Sequence, residues 1–191
     1  MNSNEKITKV EFDQNQENHF NGIITKLGNG NPKTAINNGI IDCKASSIGY
    51  NSDWCHIKNA FDFKNDKLCF CSKSEPNSWF CYDFINYRVK ISHYSIQSNG
   101  NGGERNRHPQ NWVIEGSNDE NKWEIIDSRS NEKSLSRIST SNTFEIKNND
   151  INKYFRYIRI RQTGSNSNPS TYDQYELYFS AIEFFGDYYK T

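Results

Sequence analysis

No apolar run in the chain approaches the ~20 residues that a transmembrane helix needs. The opening stretch, MNSNEKITKVEFDQNQENHF, has no apolar core of the kind a secretory signal carries. Charge excess of either sign is missing, because 23 basic side chains meet 23 acidic ones. That balance argues against nucleic acid or an anionic membrane surface as the partner. No Asn-x-Ser/Thr acceptor with a permitted middle residue occurs, despite abundant asparagine. Strong helical periodicity is absent, and so is any repeat at a period of roughly 20–50 residues. Cysteines stop at Cys81, and their number is odd: Cys43, Cys55, Cys69, Cys71 and Cys81. Without a leader they are expected to be reduced thiols, in a cytoplasmic protein.

What is present points to a folded domain. At 191 residues the chain is long enough for one domain with a respectable core. Hydrophobic residues make up only 34%, but aromatics reach 14%, far from the composition of a disordered chain. From Phe20 onward, short alternating runs are separated by turn residues. Candidate strands are GIIDCKASS (39–47), LCFCS (68–72), WFCYDF (79–84) and HYSIQS (93–98). NWVIEGS and KWEIID form a hairpin, with Asn118, Asp119 and Asn121 in its turn. Alternation predicts Trp112 and Ile114 on one face of the first strand and Trp123 and Ile125 on one face of the second, both tryptophans entering the core. TFEI (143–146), YFRYIRIRQT (154–163) and YELYFSAIEFFG (175–186) complete the set. Many short strands with regular turn signals predict an all-β sandwich or barrel.

Several patterns invite chemistry and have a plainer reading. Cys69-Phe-Cys71 puts two sulfurs on one strand face, and zinc would need two more ligands from Cys55, His56 or Cys81. Without a paired CxxC, core packing is the stronger reading, and no metal site is assigned. Cys55 or Cys81 with His93 or His108 has no local nucleophile signature, and no carboxylate pair suits acid–base work. LGNGNPKT (27–34) and GNGGERN (100–106) do not continue into Gly-Lys-Ser/Thr and read as loops. The alternating Arg159 and Arg161 are expected to pair with acids on a neighbouring strand. Loop 98–108, carrying Glu104, Arg105, Arg107 and His108, is the strongest candidate for binding.

In order along the chain, WFCYDF, HYSIQS, HPQNWVIEGSNDENKWEIID, KYFRYIRIRQTG and LYFSAIEFFG resemble discoidin domains, also called coagulation-factor type C domains. FNGIITKL and GIIDCKASS resemble the start of the branch found in protist proteins and in BTB-containing or ubiquitin-ligase-associated proteins. The resemblance divides the chain into a polar N-terminal extension or linker (1–18), a domain (19–187) and a tail (188–191). It implies a galactose-binding-like, jelly-roll-like β-sandwich of about eight main strands. It also implies a non-catalytic binding module whose loops at one end of the barrel hold the ligand. By position these loops are 48–58, with Tyr50, Trp54 and His56; 64–78, with Glu75 and Asn77; and 98–108, with Arg105, Arg107 and His108. Trp79, Trp112 and Trp123 match core positions, and the turn at 117–121 reads as a bend.

The chain departs from the secreted members in lacking their paired cysteines. Its only large apolar spike is Trp54, which argues against lipid binding. Some members hold a structural calcium through loop carbonyls and Asp. Asp53 and Asp62 are the candidates here, but no ligand pattern identifies a site. The expectation is a cytoplasmic, non-enzymatic module that binds a protein or peptide, in the manner of a ubiquitin-ligase-type adaptor. The alternative is a carbohydrate-binding module using Trp54, Glu75, Asn77 and Arg105.

Overall fold

The computed structural model describes residues 6–15, 18–50, 52–100, 107–147, 152–168 and 170–191. The chain runs β1 (Thr8–Val10), α1 (Ile23–Leu27), α2 (Pro32–Asn37), β2 (Asp42–Ala45), a 3₁₀ turn (Ile57–Ala60), β3 (Phe70–Cys71) and β4 (Trp79–Asp83). It continues through β5 (Tyr87–Gln97), β6 (Trp112–Ser117), β7 (Glu124–Arg129), β8 (Ser141–Glu145), β9 (Tyr157–Gln162), β10 (Tyr178–Phe179) and β11 (Ala181–Lys190). A five-stranded sheet in the order β2-β4-β9-β6-β7 faces a four-stranded sheet in the order β1-β11-β5-β8, with the short pair β10-β3 beside them. This is the expected all-β sandwich. Three of the described strands, β1, β3 and β10, have three residues or fewer, which leaves eight longer ones. Two short helices precede β2, and the first of them is formed by the FNGIITKL stretch. No helix among the described residues is long and apolar enough to cross a membrane. Part of the polar N-terminal segment is integrated, since Thr8–Val10 pairs antiparallel with Tyr188, Asp187 and Gly186 near the end of β11.

Alternation builds the core. In β4, Phe80 and Tyr82 point inward and pack with Phe61, Phe70, Phe179 and Phe184. Ring centroids lie 4.7 Å apart for Phe70–Phe80 and 5.2 Å for Tyr82–Phe184, both edge to face, the arrangement the ring quadrupoles favour. In β9, Ile158 and Ile160 point inward, while Arg159 and Arg161 point out and both bond Glu115 on β6, as the sequence predicted.

Two β-bulges break the simple period. Opposite Gly186, the register of β5 slips at Ser92, so Val89 and Ile91 before the slip and Tyr94 and Ile96 after it all face the core. Gly186 has φ +139°, and a Cβ there would meet Lys90 O at 2.1 Å, so only glycine fits. The second bulge lies between β6 and β7. Ile114 pairs with Asp127, but Glu115 pairs with Ile125, so Ile126 is the extra residue and is buried.

That bulge corrects the reading of the hairpin. Trp112 is fully buried, but Ile125 is 50% exposed, and Trp123 lies half-buried with its ring under the Arg159 guanidinium at 3.8 Å. A one-residue slip sends the tryptophan to the other face of the sheet. Trp79 also faces outward, paired with Arg161. Trp112 is therefore the tryptophan of the core. Its Nε1 donates to Tyr94 Oη (3.1 Å), and that hydroxyl donates to Asp127 (2.6 Å).

Candidate functional site

One end of the sandwich gathers the loops after β2, before β4, after β5 and after β9. The other end holds the β6–β7 turn, which closes on itself. There Ser117 Oγ accepts from the Asp119 and Glu120 amides, and Asp119 Oδ1 accepts from those of Asn121 and Lys122. Its backbone bonds are local, as expected of a bend, though Glu120 also receives Lys44 from β2.

At the loop end, Tyr50 and Trp54 form an exposed pair, 37% and 41% accessible, with ring centroids 5.5 Å apart and planes tilted by 35°. Their loop is stitched to β3 by backbone. Gly49 N donates to Cys71 O (2.8 Å), Cys69 N to Trp54 O (2.9 Å) and His56 N to Cys69 O (3.0 Å). The aromatic pair thus stands on a strand of the body.

Beneath the pair lies a buried ionic cluster. Arg107, only 8% exposed, donates to Tyr50 Oη (3.3 Å), Glu176 (2.5 Å) and Asp173 (2.8 Å). Burial works against the Arg107 charge, and Tyr50, Glu176 and Asp173 outweigh it. Burial raises Glu176, with Arg107 opposing the shift and Asp173 adding to it. His108 is also buried, and neither ring nitrogen has a hydrogen-bond partner among the described residues. Burial pushes its imidazole below the ordinary range, towards the neutral form. Its backbone exchanges bonds with Ser167, tying the loop before β6 to the one after β9.

The residues expected at the site divide accordingly. Tyr50, Trp54 and Arg107 come together, with Arg107 and His108 under the rim. His56 Nδ1 accepts from the Lys58 amide (3.2 Å) and so caps the 3₁₀ turn. Glu75 and Asn77 occupy the turn at 73–78. There Asn77 has φ +64°, and its amide oxygen accepts from Arg161 (3.0 Å), which joins it to the outer sheet face. Glu104 and Arg105 lie outside the described residues. The sequence reading passed over the loop 163–177, which supplies Asp173 and Glu176. Its signal was its composition, GSNSNPSTYDQ, as turn-rich as loop 98–108.

For calcium the fit is poor: Asp62 bonds Lys33, and among the described residues no group of three or more His, Cys, Asp or Glu is arranged to hold a metal. Cys55, Cys69 and Cys71 instead form a small buried cluster with Tyr178.

The F5/8 type C domain family model matches residues 42–177. The E3 ubiquitin-protein ligase Ufd4 of Drosophila melanogaster is 28% identical over 116 residues, which is 60% of this chain and 4% of that protein. The chain therefore spans only a small part of that relative. Among solved structures, the CBM32-3 module of a family 31 glycoside hydrolase from Clostridium perfringens aligns with TM-score 0.59 and 14% identity, covering 79% of this chain and 94% of that one. A second C. perfringens module, CpGH89CBM32-5 in complex with GalNAc-β-1,3-galactose, gives 0.58 and 11%, covering 77% and 96%. The serum f-lectin of striped bass, Morone saxatilis, gives 0.57 and 16%, covering 77% and 47%. At these identities the solved structures speak for the fold.

Proposed function

Because the chain belongs to the F5/8 type C domain family, a family of binding modules, we propose that it is a non-catalytic module that holds a protein or peptide segment at the Tyr50–Trp54 rim. The observation that carries this reading is the exposed aromatic pair standing over an arginine whose terminal nitrogens are already taken by Glu176 and Asp173, while the Arg107 Nε and His108 ring nitrogens, unpartnered among the described residues, are buried beneath it. Sugar hydroxyls require several free hydrogen-bonding groups converging beside an aromatic face. Under this rim, Arg107 is engaged by Glu176 and Asp173, and Asn166 Nδ2 donates to the Asp173 and Glu176 carbonyls. What the rim offers is aromatic area in a fixed position, the usual anchor of a peptide interface. The Ufd4 relative, an E3 ubiquitin-protein ligase, supports a role as adaptor within a larger assembly.

A carbohydrate is the second reading. It is favoured by the same aromatic pair and by the galactoside-bound module and the lectin domains among the structural neighbours. One experiment separates the two: a peptide display library and a glycan array screened with the wild type and Trp54→Ala. Selected peptides should bind the wild type and lose at least about tenfold in affinity, ~1.4 kcal/mol, on the variant. Sugar binding that disappears with Trp54→Ala, with no peptide selected, would replace the first reading by the second.

A further inference from the structure

Three thiols meet directly behind the rim. Cys55, Cys69 and Cys71 are all fully buried and, with Tyr178, make a cluster separate from the main core. Cys55 and Cys69 are direct partners in a parallel bridge, with both backbone bonds made by Cys69. Residues paired in this way have Cα atoms about 5 Å apart, inside the roughly 4.4–6.8 Å window of disulfides. Cys71 lies two residues after Cys69 on the same face, and the three cysteines belong to one buried cluster. Nothing in the binding role described above uses these sulfurs.

We propose that Cys55 and Cys69 form a reversible disulfide under peroxide, with Cys71 as the alternative partner of Cys55, and that this bridge fastens the Trp54 loop to β3. The chemistry balances with hydrogen peroxide as the two-electron oxidant. The Cys55 thiolate attacks one peroxide oxygen. The O–O bond breaks, Cys55 becomes a sulfenic acid, and the departing hydroxide takes up a proton to leave as water. Cys69 sulfur then attacks the Cys55 sulfur and expels the hydroxide, which takes the Cys69 proton and leaves as a second water. Two thiols are oxidised and one peroxide is reduced.

Cys55 is the first nucleophile. Hydrogen bonds from Cys69 and Cys71 hold its thiol below the ordinary range, while the bonds to Cys55, together with burial, push the other two up. Because Cys55 follows Trp54 directly, the bridge would limit how far the rim loop can shift to meet a partner.

The test uses the reduced 191-residue chain treated with hydrogen peroxide and needs no ligand, so it stands or falls independently of the rim's partner. The wild type should lose two of its five free thiols and the mass of two hydrogens. Peptide mapping should join Cys55 to Cys69 or Cys71, dithiothreitol should reverse the change, and the denaturation midpoint should rise while the bridge is present. Cys55→Ser should keep all four of its thiols. The double variant Cys43→Ser/Cys81→Ser, which leaves the cluster intact, should still lose two, and it carries the test if Cys55→Ser does not fold. Retention of all five thiols by the wild type, a bridge through Cys43 or Cys81, a bridge between two chains, or oxidation that stops at single-cysteine acids would each overturn the proposal.

Discussion

Two arginine–carboxylate clusters in this molecule have opposite stoichiometry. Under the rim, one arginine, Arg107, lies between two carboxylates, Asp173 and Glu176. On the outer face of the five-stranded sheet, one carboxylate, Glu115, lies between two arginines, Arg159 and Arg161. The first cluster ties together segments more than sixty residues apart that belong to loops, whereas the second joins adjacent strands in register. The sheet pairing would bring its partners together even without their charges. At the rim, ion pairs and loop backbone bonds fix the loop positions, so the charges there carry structure and not only surface energy.

Removal of the central residue should expose that difference. Arg107→Ala removes the guanidinium that joins the buried Glu176 carboxylate to the half-buried Asp173. We expect a loss of about 3–5 kcal/mol in chemical denaturation, with weaker binding of any peptide selected at the proposed Tyr50–Trp54 rim, although Arg107 lies beneath it. A loss no greater than that of an exposed ion pair would remove the rim cluster's structural role. Glu115→Ala leaves two arginines that can still reach water, and the expected loss is smaller, about 2 kcal/mol by the same measurement.

Trp123→Ala sharpens the comparison from the side of the sheet. Its ring is stacked under Arg159 and its Nε1 donates to Glu120 O (2.9 Å), so the loss should be about 1 kcal/mol. A tryptophan in the core would cost about 3–5 kcal/mol, and a loss of that size would return Trp123 to the interior.

The smallest effect is in pH dependence, where the two clusters should differ in sign. Burial alone would raise Glu115, but the bonds and charges of Arg161 and Arg159 reverse it and hold the carboxyl below the usual range. Its stabilisation is therefore present above the unfolded carboxyl pKa and lost as pH falls through the folded one. Glu176 is raised, so its contribution is present below the unfolded pKa and declines as pH rises towards the folded one. From about pH 4 to about pH 7, wild type should gain on Glu115→Gln and lose ground to Glu176→Gln in thermal midpoints. Parallel trends in the two variants would show that the clusters do not differ electrostatically.

The legible and illegible parts of the site follow the same division. Arg159 and Arg161 were readable as partners of an acid because a strand alternates with period two and each residue's face follows from its neighbours. Trp54 stood out as an exposed aromatic in a loop. Asp173 and Glu176 did not stand out, because nothing local distinguishes a carboxylate that reaches a distant arginine from one that faces solvent. The Trp123 error has a local cause of another kind: one extra residue, Ile126, inverts the face of the residues that precede it, Trp123 to Ile125, and no residue type there announces a bulge.

The sequence by itself determined the sandwich, the family, the inward face of β9 and the Trp112 knob. Alternation and turn chemistry act over a few residues and can be read along a line. Only the tertiary structure decided that the loop after β9 joins the same end, that Arg107 is bound by two acids from that later loop, and that Cys55 meets Cys69 and Cys71. Those neighbours are far apart in the chain, and the packing of the two sheets, not any local preference, brings them together.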